Sequence, residues 1–529
     1  FSLLTKTFAM KFTVPRNILF MIFTFVLLDI VMQMQVLTFS ALAELVNQMN
    51  NYTLSAHFGI TPTETSVGVL NSIFAVTHET GNALAIIFLL PVADSRGRKF
   101  MAVYLRFALL FLTGFFHLLA TSFQAAEAYT LGQLFLGIQS PLHLLITPMY
   151  ILECAPDNCR GFASTALIFS FSIGKLLMFS AASPTFLGTI DSWFIIPLFE
   201  MVCSVMILCL MIHLPDSPKW LIQQNKVKKA EDSIKFYYGK HFLDEVVTSL
   251  IKEKNLTKDN RISLRQIWEN DTLRESLKIL FAVTVFLQFD TTTAQSVYTI
   301  DFHKTAGFTV QEALNINLIL TTVLFPTKFI GTLFLDALGR RPAMGVAGVM
   351  KYSKSMLLLA FEILVFISGS SLITKIMYVA VELLTILVPV TGANSIRVLF
   401  VTELFPPSAR TAVGQAMLFG SMAVNSPIVA LYPIVNSIFP PIFFVPFVIS
   451  QMIFGIYLYR HMPETRGRAV YDIIESLDRN VASRTASVTD ENTPLFKDQT
   501  ENRDGKWNSL LNTPRTRALT FEENSHSPN

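Results

Sequence analysis

Residues 402–410 read TELFPPSAR, and residues 152–160 read LECAPDNCR. Glu403 and Arg410 stand seven residues apart with prolines between them, and Glu153 and Arg160 have the same spacing, again across a proline. One acid–base phrase, written twice about 250 residues apart in a chain that is 52% hydrophobic, asks whether the whole chain is doubled.

The surroundings say that it is. DSRGRK at 94–99 is matched by DALGRR at 336–341, and PDS at 215–217 by PET at 463–465. The three pairs are offset by about 242, 250 and 248 residues and come in the same order. Between them run long apolar stretches. A membrane-spanning helix needs roughly 20 apolar residues, and twelve such runs can be placed: about 17–40, 66–92, 99–122, 127–152, 163–184, 192–213, 278–300, 311–335, 343–368, 373–401, 411–436 and 439–461. Six spans are thus written twice. Two parallel six-helix repeats are a known transporter design, with the solute site at their interface near the bilayer midplane.

Composition points the same way. Of 529 residues only 15% are charged, against about a quarter in soluble domains, and 46 are Phe. A net charge of +3 is too small to suggest a nucleic-acid partner. The four cysteines, Cys154, Cys159, Cys203 and Cys209, have neither zinc-ligand spacing nor the look of a disulfide framework, so no metal or cofactor is expected. A soluble enzyme is excluded by composition. The chain opens on Phe1 rather than Met, and residues 1–16 are read as an incomplete cytoplasmic segment. The first apolar run is longer than a signal-peptide core and lacks a small-residue cleavage site.

The expected organisation is an N-terminal six-helix bundle over 17–213, a hydrophilic linker with short helices over 214–277, a C-terminal bundle over 278–461, and a disordered tail over 462–529. The linker carries the amphipathic patterns KKAEDSIKFYYGK and ISLRQIWEND. Orientation follows from Lys and Arg, which concentrate on the cytoplasmic side. Arg96, Arg98 and Lys99 follow span 2, Arg340 and Arg341 follow span 8, and on the other side only Lys304 and Lys375 appear. Both termini and the linker are therefore expected in the cytoplasm. The sequon at Asn51 then lies outside, where it is a glycosylation candidate, while those at Asn255 and Asn270 lie inside and are read as chance.

Each half places an arginine cluster and two or more acids where helices leave the membrane: Asp94, Arg98, Glu153, Arg160 and Asp216 in the first, and Asp336, Arg340, Arg341, Glu403, Arg410 and Glu464 in the second. Half-solvated pairs of this kind are worth about 1 kcal/mol each. A network of them could bias a two-state equilibrium, for which near-complete inversion takes about 5.5 kcal/mol. These residues are read as a cytoplasmic gate.

The motifs ADSRGRK, GQLFLG, PMYILECAPDNCRG, PDSPKWL, LDALGRR, ELFPPSAR and PETRGR together resemble the sugar porter family of the major facilitator superfamily, which includes the facilitative glucose transporters. The resemblance covers about residues 15–475. It implies an all-α membrane protein of twelve transmembrane helices in two six-helix bundles, working by alternating access. Departures in the gate are mild: Asp216 stands for Glu, Ser95 for Arg and Gln133 for Arg.

The solute site departs further. Where the family's hexose carriers read QQLSGIN in span 7, this chain reads LQFDTTTAQS at 287–296. Gln288 survives, Asp290 stands at the usual serine and Thr293 at the usual asparagine. Gln288, Thr292 and Gln295 have the i, i+4, i+7 spacing of one polar stripe. In span 10 the family's GPGPIPW becomes GANSIRV, keeping Gly392 but replacing the aromatic with Val398 and a proline with Arg397. In span 11 Met422 replaces the usual tryptophan, while Asn425 keeps a family position. Ile168 falls at the span 5 glutamine. Polar amides and hydroxyls suit sugars, and the substrate-binding candidates are Gln288, Asp290, Thr292, Thr293, Gln295, Gly392, Arg397 and Asn425.

Charges also appear at membrane depth: Asp29, Glu79, Lys175, Asp290, Lys328 and Arg397. A charge at a helix centre costs roughly 2.5–3.5 kcal/mol on insertion scales, so such residues face a cavity or a partner. Two readings stay open. Asp290 and Arg397 line the cavity and read a charged solute or a proton, or they act as struts, with Asp290 or Asp29 paired to Lys175 or Arg397. Asp29 and Lys175 are the candidates for coupling. His78, His117 and His143 are read as packing residues, one of which could relay protons. RTAS ending at Ser487 resembles a kinase site, and ENTPLF ending at Phe496 an acidic sorting signal.

The function expected is a solute carrier for a small polar organic solute, sugar-like or a charged metabolite. The alternatives are a non-transporting nutrient sensor or scaffold and a proton-coupled organic ion carrier. The partners are a small-molecule solute and the lipid bilayer, with protons as a further candidate. The expected location is the plasma membrane, with an endolysosomal membrane as the alternative.

Overall fold

A computed structural model describes residues 15–90, 92–156, 160–239, 243–257, 263–329, 338–406, 409–465 and Ile473. They belong to one compact unit, Phe1–Ile474. The motifs expected at Ser487 and Phe496 lie outside the described residues.

Among the described residues every regular element is a helix. Spans 1 to 6 are Arg16–Ala41, Glu64–Leu89, Phe100–Phe123, Ala126–Cys154, Arg160–Ala181 and Ile195–Met211. Spans 8, 9, 11 and 12 are Val310–Val323 with Phe325–Phe329, Arg340–Ser368, Arg410–Ile438 and Val445–His461. Spans 7 and 10 are broken: Asp271–Gln288, Thr292–Val297 and Thr299–Ala306 in one, Leu372–Leu387 and Ala393–Glu403 in the other. By length and composition alone, seven described helices could cross a membrane. Of the other five runs, span 5 has side chains outside the described residues, and four fall short for physical reasons. Span 6 has 17 residues, spans 7 and 8 are interrupted, and span 9 carries Lys351, Lys354 and Glu362 inside it.

The helix ends are written in the sequence. Thr63, Thr309 and Ser371 start spans 2, 8 and 10, each accepting a hydrogen bond from the N–H three residues on, in reciprocal capping boxes. Asn270, read above as a chance sequon, accepts from the N–H groups of Thr272 and Leu273 and so starts span 7. The linker patterns fold as Val227–Tyr237 and Leu264–Glu269. The segment after span 1, expected as a loop, is the helix Ala43–Ala56, on which Asn51 is exposed.

Spans 1 to 6 pack on one another, span 1 on 5 and 6, span 2 on 4, and span 3 on 4 and 6. Spans 2 and 4 meet so closely that a Cβ on Gly137 would fall 1.9 Å from the carbonyl oxygen of His78, so only glycine fits there. In the second half span 7 packs on 11 and 12, and span 9 on 10 and 12. The halves meet where span 2 lies against 11, span 5 against 8, and span 1 against the upper pieces of 7.

The repeated motifs lie at one end of the bundles, here the motif end. At the far end the halves share one apolar core, in which Phe39, Phe74 and Tyr129 of the first join Tyr298, Phe302 and Tyr432 of the second. The ring of Phe39 lies 5.6 Å from that of Tyr298 across the seam. Polar contacts reinforce this closure: Lys304 lies 2.6 Å from Glu44, and Ser183 donates to Gln311 at 3.1 Å. The core at the motif end, from Ile18 to Tyr237, is built from the first half and the linker.

Candidate functional site

Each repeat folds into the same cluster at the motif end. In the first half Arg98 Nε lies 3.5 Å from Glu153 Oε1, and both are largely buried. Glu153 also accepts from the Ser217 hydroxyl at 2.5 Å, and Asp216 accepts from the Lys99 N–H at 3.1 Å. In the second half the Arg340 guanidinium lies 2.9 Å from Glu403, which accepts from the Thr465 hydroxyl at 2.5 Å. Glu464 accepts from the N–H groups of Arg340 and Arg341 at 3.0 and 2.9 Å. The described contacts therefore brace the helix ends within a bundle. Arg410 donates to the backbone oxygen of Phe405 at 3.2 Å. Asp336 and the side chains of Asp94 and Arg160 lie outside the described residues, as do those of Lys328 and Ile168.

At depth the expected struts have other partners. Asp29 is fully buried and pairs with Arg106 of span 3, not with Lys175 or Arg397. His143 Nδ1 lies 3.0 Å from the same carboxylate oxygen, and Arg106 also donates to the Thr147 hydroxyl at 3.0 Å. His143 is thus joined to the Asp29–Arg106 ion pair rather than being a packing residue. His117 does pack, stacked 4.6 Å from Tyr129. Glu79 lies 3.7 Å from His78.

Asp290 is likewise enclosed. Lys351 and Lys354 of span 9 lie 3.1 and 2.8 Å from its Oδ2. Lys354 also donates to Thr292 at 2.5 Å, and Lys351 to the backbone oxygen of Leu287 at 2.8 Å. The first piece of span 7 ends at Gln288, which leaves carbonyls without helical partners. Lys351 and Gln451 take those of Leu287, Phe286 and Phe289, and a cation suits the negative end of a helix. The continuous stripe expected through Gln288, Thr292 and Gln295 is therefore interrupted: Gln288 ends one piece, and Thr292 and Gln295 stand on the next. Gln295 is buried, while Thr292 is exposed.

Thr293 donates to Asn425 of span 11 at 3.3 Å, joining two expected site residues. Gly392, at φ +71°, sits in the break of span 10. Arg397 donates to Ser421 at 3.2 Å and has no link to Asp290 among the described contacts. Lys175 lies 5.3 Å over the Phe179 ring. Separately, an apolar groove of about 580 Å³ lies between spans 7, 11 and 12, beside Trp268, Phe281, Met417 and Ile453. Phe281 and Ile453 are more than half exposed, as side chains facing acyl tails would be.

Sequence reasoning missed Arg106, Lys351 and Lys354. Each was visible as a charge inside an apolar run, the same signal that singled out Asp29 and Asp290.

The family described as "Sugar (and other) transporter" matches residues 21–477. The human solute carrier family 2 facilitated glucose transporter member 4 is 25% identical over 427 residues, covering 79% of this chain and 82% of that one. Member 2 from Gallus gallus is 24% identical over 350 residues, covering 66% and 65%. A crystal structure of a D-xylose-proton symporter superposes with a TM-score of 0.63 at 16% identity, covering 86% of this chain and 100% of that one. The fold is thus the twelve-helix, two-bundle fold of the major facilitator superfamily.

Proposed function

This chain belongs to the sugar (and other) transporter family and is a multi-pass membrane solute carrier, and on that premise we propose what it carries and how it is placed. The solute is small, polar and organic, sugar-like or a charged metabolite, and sits at the seam near the break in span 7. One observation carries this reading. The bundles are joined at the far end by a shared apolar core and at the motif end bear duplicated ionic clusters, with Thr292, Thr293 and Asn425 between. Alternating access needs such an arrangement, in which a central polar wall can be exposed to either side. The Lys and Arg bias supports placing the motif end, both termini and the linker in the cytoplasm, and Asn51 outside at the plasma membrane.

The test is uptake by vesicles holding the full chain, with hexoses, inositol, urate and small organic cations and anions, at two pH values. Saturable flux that is lost in Arg410→Ala or Glu403→Gln, with protein in the membrane unchanged, supports a carrier. Normal insertion with no flux for any solute supports the sensor reading instead.

The Asp29–Arg106–His143 triad favours a second reading, that transport is coupled to protons. A buried carboxylate shared by a histidine and an arginine can change its charge partner when a proton arrives. Uptake would then rise with an inward proton gradient and lose that response in Asp29→Asn. Uptake indifferent to the gradient removes this reading alone.

A further inference from the structure

The charges at membrane depth divide unevenly. The carboxylates are engaged or enclosed: Asp29 by Arg106 and His143, Asp290 by Lys351 and Lys354, and Glu382 by the Tyr378 hydroxyl at 2.9 Å. Glu200 and Glu362 are 0% and 1% exposed. Two cations are different. Lys175 of span 5 and Arg397 of span 10 are both only half-buried, and among the described residues neither has a carboxylate within 4 Å. Lys175 stands on span 5, which packs on span 8 of the second bundle, and its ammonium lies over the ring of Phe179, a member of the core that the two halves share, so it faces the seam. Around Asp290 two lysines meet one carboxylate, and the exposed Thr292 closes the same cluster, its hydroxyl accepting from Lys354 and donating to Asp290. Lys175 and Arg397 are thus partly open cations that have no carboxylate partner among the described residues. Leaving a cation at that depth without a counter-charge is costly, so such a residue marks a site for one.

We propose that the seam takes an anionic solute, a carboxylate on a sugar-sized polar frame, with Lys175 as its counter-ion from the first bundle and Arg397 as a second from the other. This rests on the carrier reading and narrows its solute. A structural alternative exists, in which Lys175 and Glu382 act as a strut between the bundles.

Three probes sharing one ring separate these: D-glucuronate, D-glucose and D-glucosamine. The full chain is purified, binding is read as a shift in thermal midpoint, and flux is read in proteoliposomes at neutral pH. D-Glucuronate is expected to stabilise the protein and to enter faster than D-glucose, with D-glucosamine slowest. Lys175→Gln is expected to lower D-glucuronate uptake about tenfold, the effect of one charge-assisted hydrogen bond. Lys175→Arg should restore most of it, and Glu382→Gln should leave the charge preference in place. Should Lys175→Gln fail to insert, Arg397→Gln carries the same reading.

A wild-type preference for D-glucose or D-glucosamine, no binding of any probe, or a charge preference unmoved by Lys175→Gln would overturn the inference. So would loss of the preference in Glu382→Gln, which a strut predicts. Flux without charge preference overturns the inference and leaves the carrier reading standing. Charge-selective binding without flux supports the inference and removes the carrier reading.

Discussion

Gly97 and Gly339 occupy the same place in the two bundles, at φ +105° and +94°. Each brings its turn against a carboxylate of its own half. A Cβ on Gly97 would fall 2.6 Å from Asp216 Oδ2, and one on Gly339 would fall 3.0 Å from Glu464 Oε2. The repeat noticed in the sequence is thus a repeat of backbone geometry as well as of charge. Gly97→Ala and Gly339→Ala should each destabilise by about 1–3 kcal/mol through the left-handed backbone and the crowded carboxylate. Thermal midpoints of the purified protein check this, and a wild-type midpoint in both would show that the turns relax freely.

Arg106 depends on Asp29 as its buried counter-charge. Asp29→Asn or Arg106→Gln leaves the other group enclosed without a full partner, at a cost of about 3–5 kcal/mol. The double variant Asp29→Asn with Arg106→Gln removes both charges and should cost less than the two single changes together. A double-mutant cycle on the thermal midpoint measures it, and strict additivity would deny the pairing.

Lys351 and Lys354 share Asp290, so the three positions should rank. Asp290→Asn strands two ammonium groups, whereas Lys351→Met or Lys354→Met leaves one lysine on the carboxylate and loses about 1.5–3 kcal/mol, the worth of a hydrogen bond to a charged group. Asp290→Asn should be the most damaging of the three in thermal melts. If it were the mildest, the two lysines would have other means of neutralisation.

Ser183 and Gln311 meet across the far end. With cysteines at both positions, a short bis-methanethiosulfonate should join the bundles there through a disulfide to each thiol, with loss of methanesulfinate, and stop uptake, and a reductant should restore it. The native Cys209 is exposed and must be replaced first. Undiminished flux after complete cross-linking would mean that this end does not open during transport.

Much of the fold was legible because membrane spans announce themselves by length and apolarity, and because the punctuation after spans 2, 4 and 6 recurs after 8, 10 and 12. The break in span 7 was less legible. It contains neither Gly nor Pro, and its only sign is Asp290 followed by three threonines, residues that favour other conformations over helix. The partners of Asp29 and Asp290 were hidden for another reason. Which cation reaches a buried acid depends on how helices 61 to 77 residues apart in sequence lean together, and spacing within one helix carries no such information.

The aromatic seam at the far end has a thermal consequence. Parting Phe39 from Tyr298 brings water onto rings that are now dry, and wetting apolar surface raises heat capacity. The equilibrium between the two facing directions should therefore curve with temperature as folding equilibria do, and chilling should favour the form open at the far end because apolar cohesion weakens in the cold.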